Sequence, residues 1–193
     1  MLASCGGARA TAPAGRADEP PLPECAALRY LPLVDGNQWS YDAEDDETTD
    51  KGMFVTRSRR LPGPRFSLMS SQGSHVLEVR ADGIVRTPEE AYVLKLPLAP
   101  QAEWPGAGGA TVRIAAIDQM VDVPAGRFVG CIETVEETRA SNRPVRRVST
   151  TYCPDVGIAL LHAEAWQRSA HQGERATLRS FGRPVDVEVP RGR

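Results

Sequence analysis

The sequence lacks most of what function classes are recognised by. It has no apolar run near the roughly eighteen residues needed to cross a bilayer as a helix. Charge of one sign is missing too: 23 Lys and Arg stand against 25 Asp and Glu, a formal net charge of −2. No field therefore steers the chain onto nucleic acid, which excludes that class of partner. There is no Cys-x-x-Cys pair, and the histidines number only 3, His75, His162 and His171. Zinc coordination finds too few ligands at useful spacing. Gly-x-Ser-x-Gly, His-Glu-x-x-His and a phosphate-cradling loop ending in Lys-Ser/Thr are all absent. The sequence implies no cofactor, no metal and no catalytic set.

What is present is a chain of 193 residues with 41% hydrophobic content, enough for one packed domain with tails. Residues 1–28 read as an attachment box and an unfolded tether, residues 29–183 as a single β domain, and residues 184–193 as a tail. The opening "MLASCGG" places Leu2-Ala3-Ser4 before Cys5, the form of a bacterial lipoprotein processing box in which Cys5 receives lipid. The basic and apolar parts of a signal do not precede it. "GGARATAPAGRADEPPLPE" after it has no apolar periodicity and much proline, as a tether does. Cys25 has no partner once Cys5 is lipidated; an unprocessed Cys5 could bridge to it.

From Tyr30 short alternating runs are punctuated by turn residues, the pattern of an antiparallel all-β protein with few or no helices. The runs are 39–43, 52–57, 66–70, 75–80, 84–87, 91–96, 111–117, 120–123, 127–137, 145–153, 158–166 and 176–181. Asp82-Gly83 reads as a two-residue hairpin turn with positive φ at both residues, and Gln172-Gly173 as a second turn. "GIALLHAEAWQRSA" (157–170) fits either a helix or a strand carrying Ile158, Leu160, His162, Glu164 and Trp166 on one side. The flanking Pro154, Gly157 and Gly173 favour the strand.

The cysteines give the strongest register. If 127–137 and 145–153 form a hairpin, Cys131 opposite Cys153 centres it on Asn142 in the turn-like "ASNRP". The same register sets Ile132 against Tyr152, Thr134 against Thr150 and Glu137 against Arg147, each a favourable cross-strand neighbour, and a one-residue slip destroys all three. Opposite residues come close enough for a disulfide. Reduced core cysteines and a metal or redox pair are the alternatives. A Cys131–Cys153 bond implies an oxidising compartment, which agrees with the processing box.

"YLPLVDGNQWSYDA" (30–43), "VDVPAGRFVGC" (121–131) and "YCPDVGIALL" (152–161) together resemble a group of small secreted or lipid-anchored bacterial proteins of uncharacterised function, of myxobacterial type. The resemblance implies a strongly curved antiparallel sheet, half-barrel or barrel-like, akin to the half-barrels of periplasmic lipoprotein carriers. It implies no catalytic residues.

Three local clusters look chemical and fail on detail. In "DAEDDETTD" (42–50), Asp42, Glu44 and Asp46 alternate as in a calcium loop, but Glu47 replaces the required glycine and Met53 the required glutamate. That run reads as a solvated hairpin tip. His162-x-Glu164 lacks the cysteine pair of a zinc deaminase. Ser74 and His75 are neighbours on a strand and so point to opposite faces. The leading expectation is a non-enzymatic, lipid-anchored periplasmic protein at the outer membrane, binding or scaffolding an envelope protein or polymer and held to the membrane through Cys5. A carrier of an apolar ligand or acyl chain is the alternative, and a hydrolase with an unrecognised site is the third.

Overall fold

The computed structural model describes residues 21–48, 50–71, 73–141, 143–167 and 170–182. Its strands are β1 (Gln38–Asp45), β2 (Lys51–Arg60), β3 (Arg65–Ser70), β4 (Gly73–Arg80), β5 (Gly83–Thr87), β6 (Ala91–Lys95), β7 (Glu103–Pro105), β8 (Thr111–Val123), β9 (Gly126–Ala140), β10 (Arg143–Cys153), β11 (Gly157–Gln167) and β12 (Ala170–Gly182). They form one 12-stranded antiparallel sheet in the order β6-β5-β4-β3-β2-β1-β12-β11-β10-β9-β8-β7. The sheet curls until it nearly closes as a barrel. Its free edges, β6 and β7, meet without a ladder: the Trp104 indole N–H donates to the Tyr92 carbonyl at 3.0 Å. Among the described residues the only helical turns are the short 3-10 segments Ala26–Arg29 and Ala107–Gly109. The chain is therefore all-β, as its alternation indicates.

Most expected runs coincide with strands, and 157–170 is resolved in favour of β11. Four expectations are corrected. Runs 111–117 and 120–123 are one strand, β8, because three register shifts against β9 absorb the irregular residues between them and Asp118 takes φ 58. The Asp82-Gly83 turn sits one residue earlier: Arg80 pairs with Gly83, and neither Ala81 nor Asp82 has positive φ. Gly83 is needed for space, since a Cβ there would run into the Leu94 carbonyl. Gln172 and Gly173 lie inside β12, paired with Ala165 and Glu164. Gln167 faces Ala170, and residues 168–169 lie outside the described residues. Gly173 is bare because Asp46 occupies the place a Cβ would take, its backbone N–H bonding the Gly173 carbonyl at 2.9 Å.

The fourth correction concerns which way β11 faces. Opposite β11, Tyr152 pairs with Ile158 and Thr151 with Leu160, leaving Ala159 as a bulge. A bulge flips the alternation. Ile158 faces the interior, but beyond it Leu161 and Ala163 do, rather than Leu160, His162, Glu164 and Trp166.

The β9–β10 ladder carries Ile132 opposite Tyr152, Thr134 opposite Thr150 and Glu137 opposite Arg147. Asn142 lies outside the described residues; on either side of it Ala140 pairs with Arg143, and a shift between Pro144 and Arg146 adjusts the register near the tip. Arg139 and Arg147 reach Glu137 at 2.5 and 3.0 Å. The Arg139 hydrogen bond, aided by Arg147, outweighs partial burial and holds the Glu137 carboxyl below the usual carboxylate range. A depressed folded-state pKa contributes stability above the unfolded value and loses it as pH falls through the folded value. The stability gap between wild type and Glu137→Gln is therefore expected at pH 7 and expected to vanish under acid. Urea unfolding of both proteins across that range checks it, and parallel profiles would refute it.

Apolar residues gather in two regions. One lies inside the barrel, where Phe66, Ile84, Leu94, Ile114 and Ile132 meet Ala27, Leu31 and Leu33 of the N-terminal segment. Ala27 is completely buried and Leu22, Cys25 and Leu28 pack beside it, so the packed chain begins ahead of residue 29. This segment plugs one end. The Arg29 carbonyl accepts from the Asp155 N–H at 2.6 Å, tying the plug to the β10–β11 connection. The second region surrounds Cys131 and Cys153, where the bent β8–β9 arm packs on β11 and β12. There the Ala125 N–H reaches the Leu178 carbonyl at 3.1 Å, and Phe128 meets Phe181 edge-on at 5.9 Å.

Candidate functional site

A barrel of twelve strands is wider than the eight-stranded kind whose interior holds one small ligand, so side chains from the wall alone do not fill it. The plug fills one end. Above it a cavity of about 500 Å³ remains, within the roughly 300–1,000 Å³ typical of sites for single small organic molecules.

The lining changes character along the axis. At the plugged end it is apolar and buried, with Leu31 and Trp39. Trp39 is fixed by its indole N–H on the Val156 carbonyl at 2.7 Å, and its ring lies against the bare backbone of Gly157. Tyr41 donates to the Ile158 carbonyl at 3.2 Å and stacks on Phe54. Burial, with the neighbouring Tyr152, pushes the Tyr41 hydroxyl far above the usual phenol range. Toward the other end, where the β1–β2, β3–β4, β9–β10 and β11–β12 turns lie, the lining becomes polar and open, with Ser70, His75, Glu136, Arg146 and Glu174. Arg146 sits 3.3 Å from Glu136 there.

Between these ends Tyr152 and Arg86 come from opposite walls, β10 and β5. Burial pushes the Tyr152 phenol up to about 12, against the opposing pull of the Arg86 charge and of hydrogen bonds with Thr150 and Thr134. At neutral pH it is an uncharged hydroxyl. The Arg86 Nε is buried and has no hydrogen-bond partner.

The sites considered from sequence are scattered. Cys131 and Cys153 are joined, with sulfurs 2.07 Å apart and α-carbons 4.2 Å apart. Cys5 lies outside the described residues, and Cys25 is a free, half-buried thiol. The acidic run distributes its carboxylates: Asp42 pairs with Arg179 at 2.9 Å, Glu44 with Lys51 at 3.7 Å and Asp46 with His162 at 2.7 Å. Asp45 instead accepts the Glu47 and Thr48 N–H groups at the hairpin tip, which depresses its pKa. Among the described residues no group of three His, Cys, Asp or Glu side chains is placed to hold a metal. Glu164 faces His171 rather than His162. His75 lies at the open rim and Ser74 is not part of the lining. Sequence reasoning missed Arg86, Glu136 and Arg146; for Arg146 and Glu136 the readable signal was shared parity with Thr150 and with its partner Thr134.

No protein-family model matches the chain, and no curated protein does. Among solved structures, a protein assigned as exported, with a YmcC-like fold, from Bacteroides fragilis aligns over 78% of this chain and 97% of its own at 11% identity, with a TM-score of 0.46. A protein assigned as a lipoprotein from Parabacteroides distasonis aligns over 82% of this chain and 100% of its own at 10% identity, with a TM-score of 0.40. Likeness of that degree carries no weight for site or activity.

Proposed function

We propose that this protein is a non-catalytic binding protein of the bacterial cell envelope, lipid-anchored through Cys5 on the periplasmic side of the outer membrane, and that its binding site is the barrel interior. The observation that carries the reading is the cavity of about 500 Å³, closed by the N-terminal plug and open at the rim of hairpin turns. The disulfide supports an oxidising compartment. The partly apolar lining favours a small amphipathic guest over a protein or polymer docked outside.

Dodecanol, a neutral single-chain probe, tests the cavity. Titration calorimetry on the full chain is expected to show saturable binding, and Ala163→Trp, which adds bulk to the lining, is expected to weaken it at least tenfold. A folded Ala163→Trp protein that binds dodecanol as the wild type does would remove the cavity from consideration. Intact mass of protein made from its native gene reads the anchor, as added lipid on Cys5.

A further inference from the structure

The charged groups along the cavity are not equivalent. Glu136 and Arg146 face each other near the rim. Of the two cations in the lining, Arg146 is paired in this way, whereas the Arg86 Nε is buried with no hydrogen-bond partner. A buried donor is costly to leave without an acceptor, and a guanidinium presents a planar fork matched to a carboxylate. Folding leaves that cost standing unless something supplies the acceptor. From the facing wall Tyr152 offers a second donor, neutral because burial has raised its pKa to about 12. Around the two lie Leu68, Leu77, Val112, Ile158 and Leu161, which present hydrocarbon and no charge.

We infer that the cavity takes a single-chain carboxylate amphiphile, whose head is held by Arg86 and Tyr152 and whose hydrocarbon part lies against the surrounding aliphatic wall. This rests on the cavity being the binding site and adds the class of guest. The chemistry is non-covalent: one Arg86 N–H bond and one Tyr152 O–H bond to the two oxygens of one carboxylate. A cationic amphiphile would set its charge against Arg86, and a neutral alcohol could accept a single hydrogen bond but brings no opposite charge.

The experiment compares laurate, dodecanol and dodecyltrimethylammonium as calorimetric probes of the full chain at neutral pH. Because hydrogen bonds to charged groups contribute about 1.5–3 kcal/mol, laurate is expected to bind roughly 10–100-fold more tightly than dodecanol, with the cation weakest. Arg86→Met is expected to abolish the laurate preference while keeping dodecanol binding, and that retained binding shows the barrel is intact. Arg86→Lys is expected to restore part of the preference, and Tyr152→Phe to lose several-fold for laurate only. Equal binding of laurate and dodecanol by wild type, or a laurate preference that survives Arg86→Met, would overturn the inference and leave the cavity as a site for neutral guests. No binding of any of the three probes would overturn both readings.

Discussion

Removing the Cys131–Cys153 bond is expected to lower the free energy of unfolding by about 3 kcal/mol, the loop-closure value for a cross-link of this span. The cysteines are 22 residues apart in sequence. Both are fully buried, with the bond at the base of the β9–β10 ladder where the chain turns toward β11 and the β8–β9 arm bends. Cutting it frees the unfolded hairpin and loosens the arm's attachment together. The test is urea unfolding of Cys131→Ala/Cys153→Ala followed by tryptophan fluorescence, alanine being preferred because serine would bury two new hydroxyls. A midpoint that does not move would show that the ladder alone fixes the hairpin.

Trp39→Ala is expected to cost as much or more, about 3–5 kcal/mol, as large aromatic truncations in cores do. Trp39 is 3% exposed and belongs to the apolar region around the disulfide while also lining the cavity floor. Its indole N–H holds the Val156 carbonyl in the β10–β11 connection. Trp39→Phe separates the two contributions: it keeps most of the ring but leaves that carbonyl unsatisfied, an expected loss of about 1–3 kcal/mol. Thermal unfolding followed by far-UV circular dichroism reads both variants. If alanine and phenylalanine cost the same, the hydrogen bond and not the ring volume carries the effect.

The cysteine pairing was legible in the sequence. A hairpin obeys a sum rule, so one cysteine pair could be checked against three other pairs, and Ile132–Tyr152, Thr134–Thr150 and Glu137–Arg147 all occur. Trp39 and Tyr41 are a spacing of two apart, and both line the cavity. What stayed hidden depends on contacts distant in sequence. Arg86 in "GIVRTPEE" follows apolar residues as an outward-facing charge would; only closure of the sheet turns it toward β10. β7 is three residues in a proline-rich stretch, too short for alternation to register, and it is held by the Trp104–Tyr92 bond. Gly173 looks like punctuation because its use, making room for Asp46, belongs to a hairpin more than a hundred residues away in sequence.

The seam between β6 and β7 matters for the molecule's behaviour in company. A sheet that stops short of closure leaves two rows of backbone donors and acceptors that a strand from another copy could join, the first step of edge-to-edge aggregation. Here both borders are poor templates. β6 spans only Ala91–Lys95, ends in a lysine and runs toward Pro97, while β7 is three residues long and ends on Pro105, which has no N–H to offer. The Trp104 indole lies across the gap and takes up a carbonyl an intruding strand would need. The molecule thus keeps a slit in its wall without inviting a neighbour to fill it.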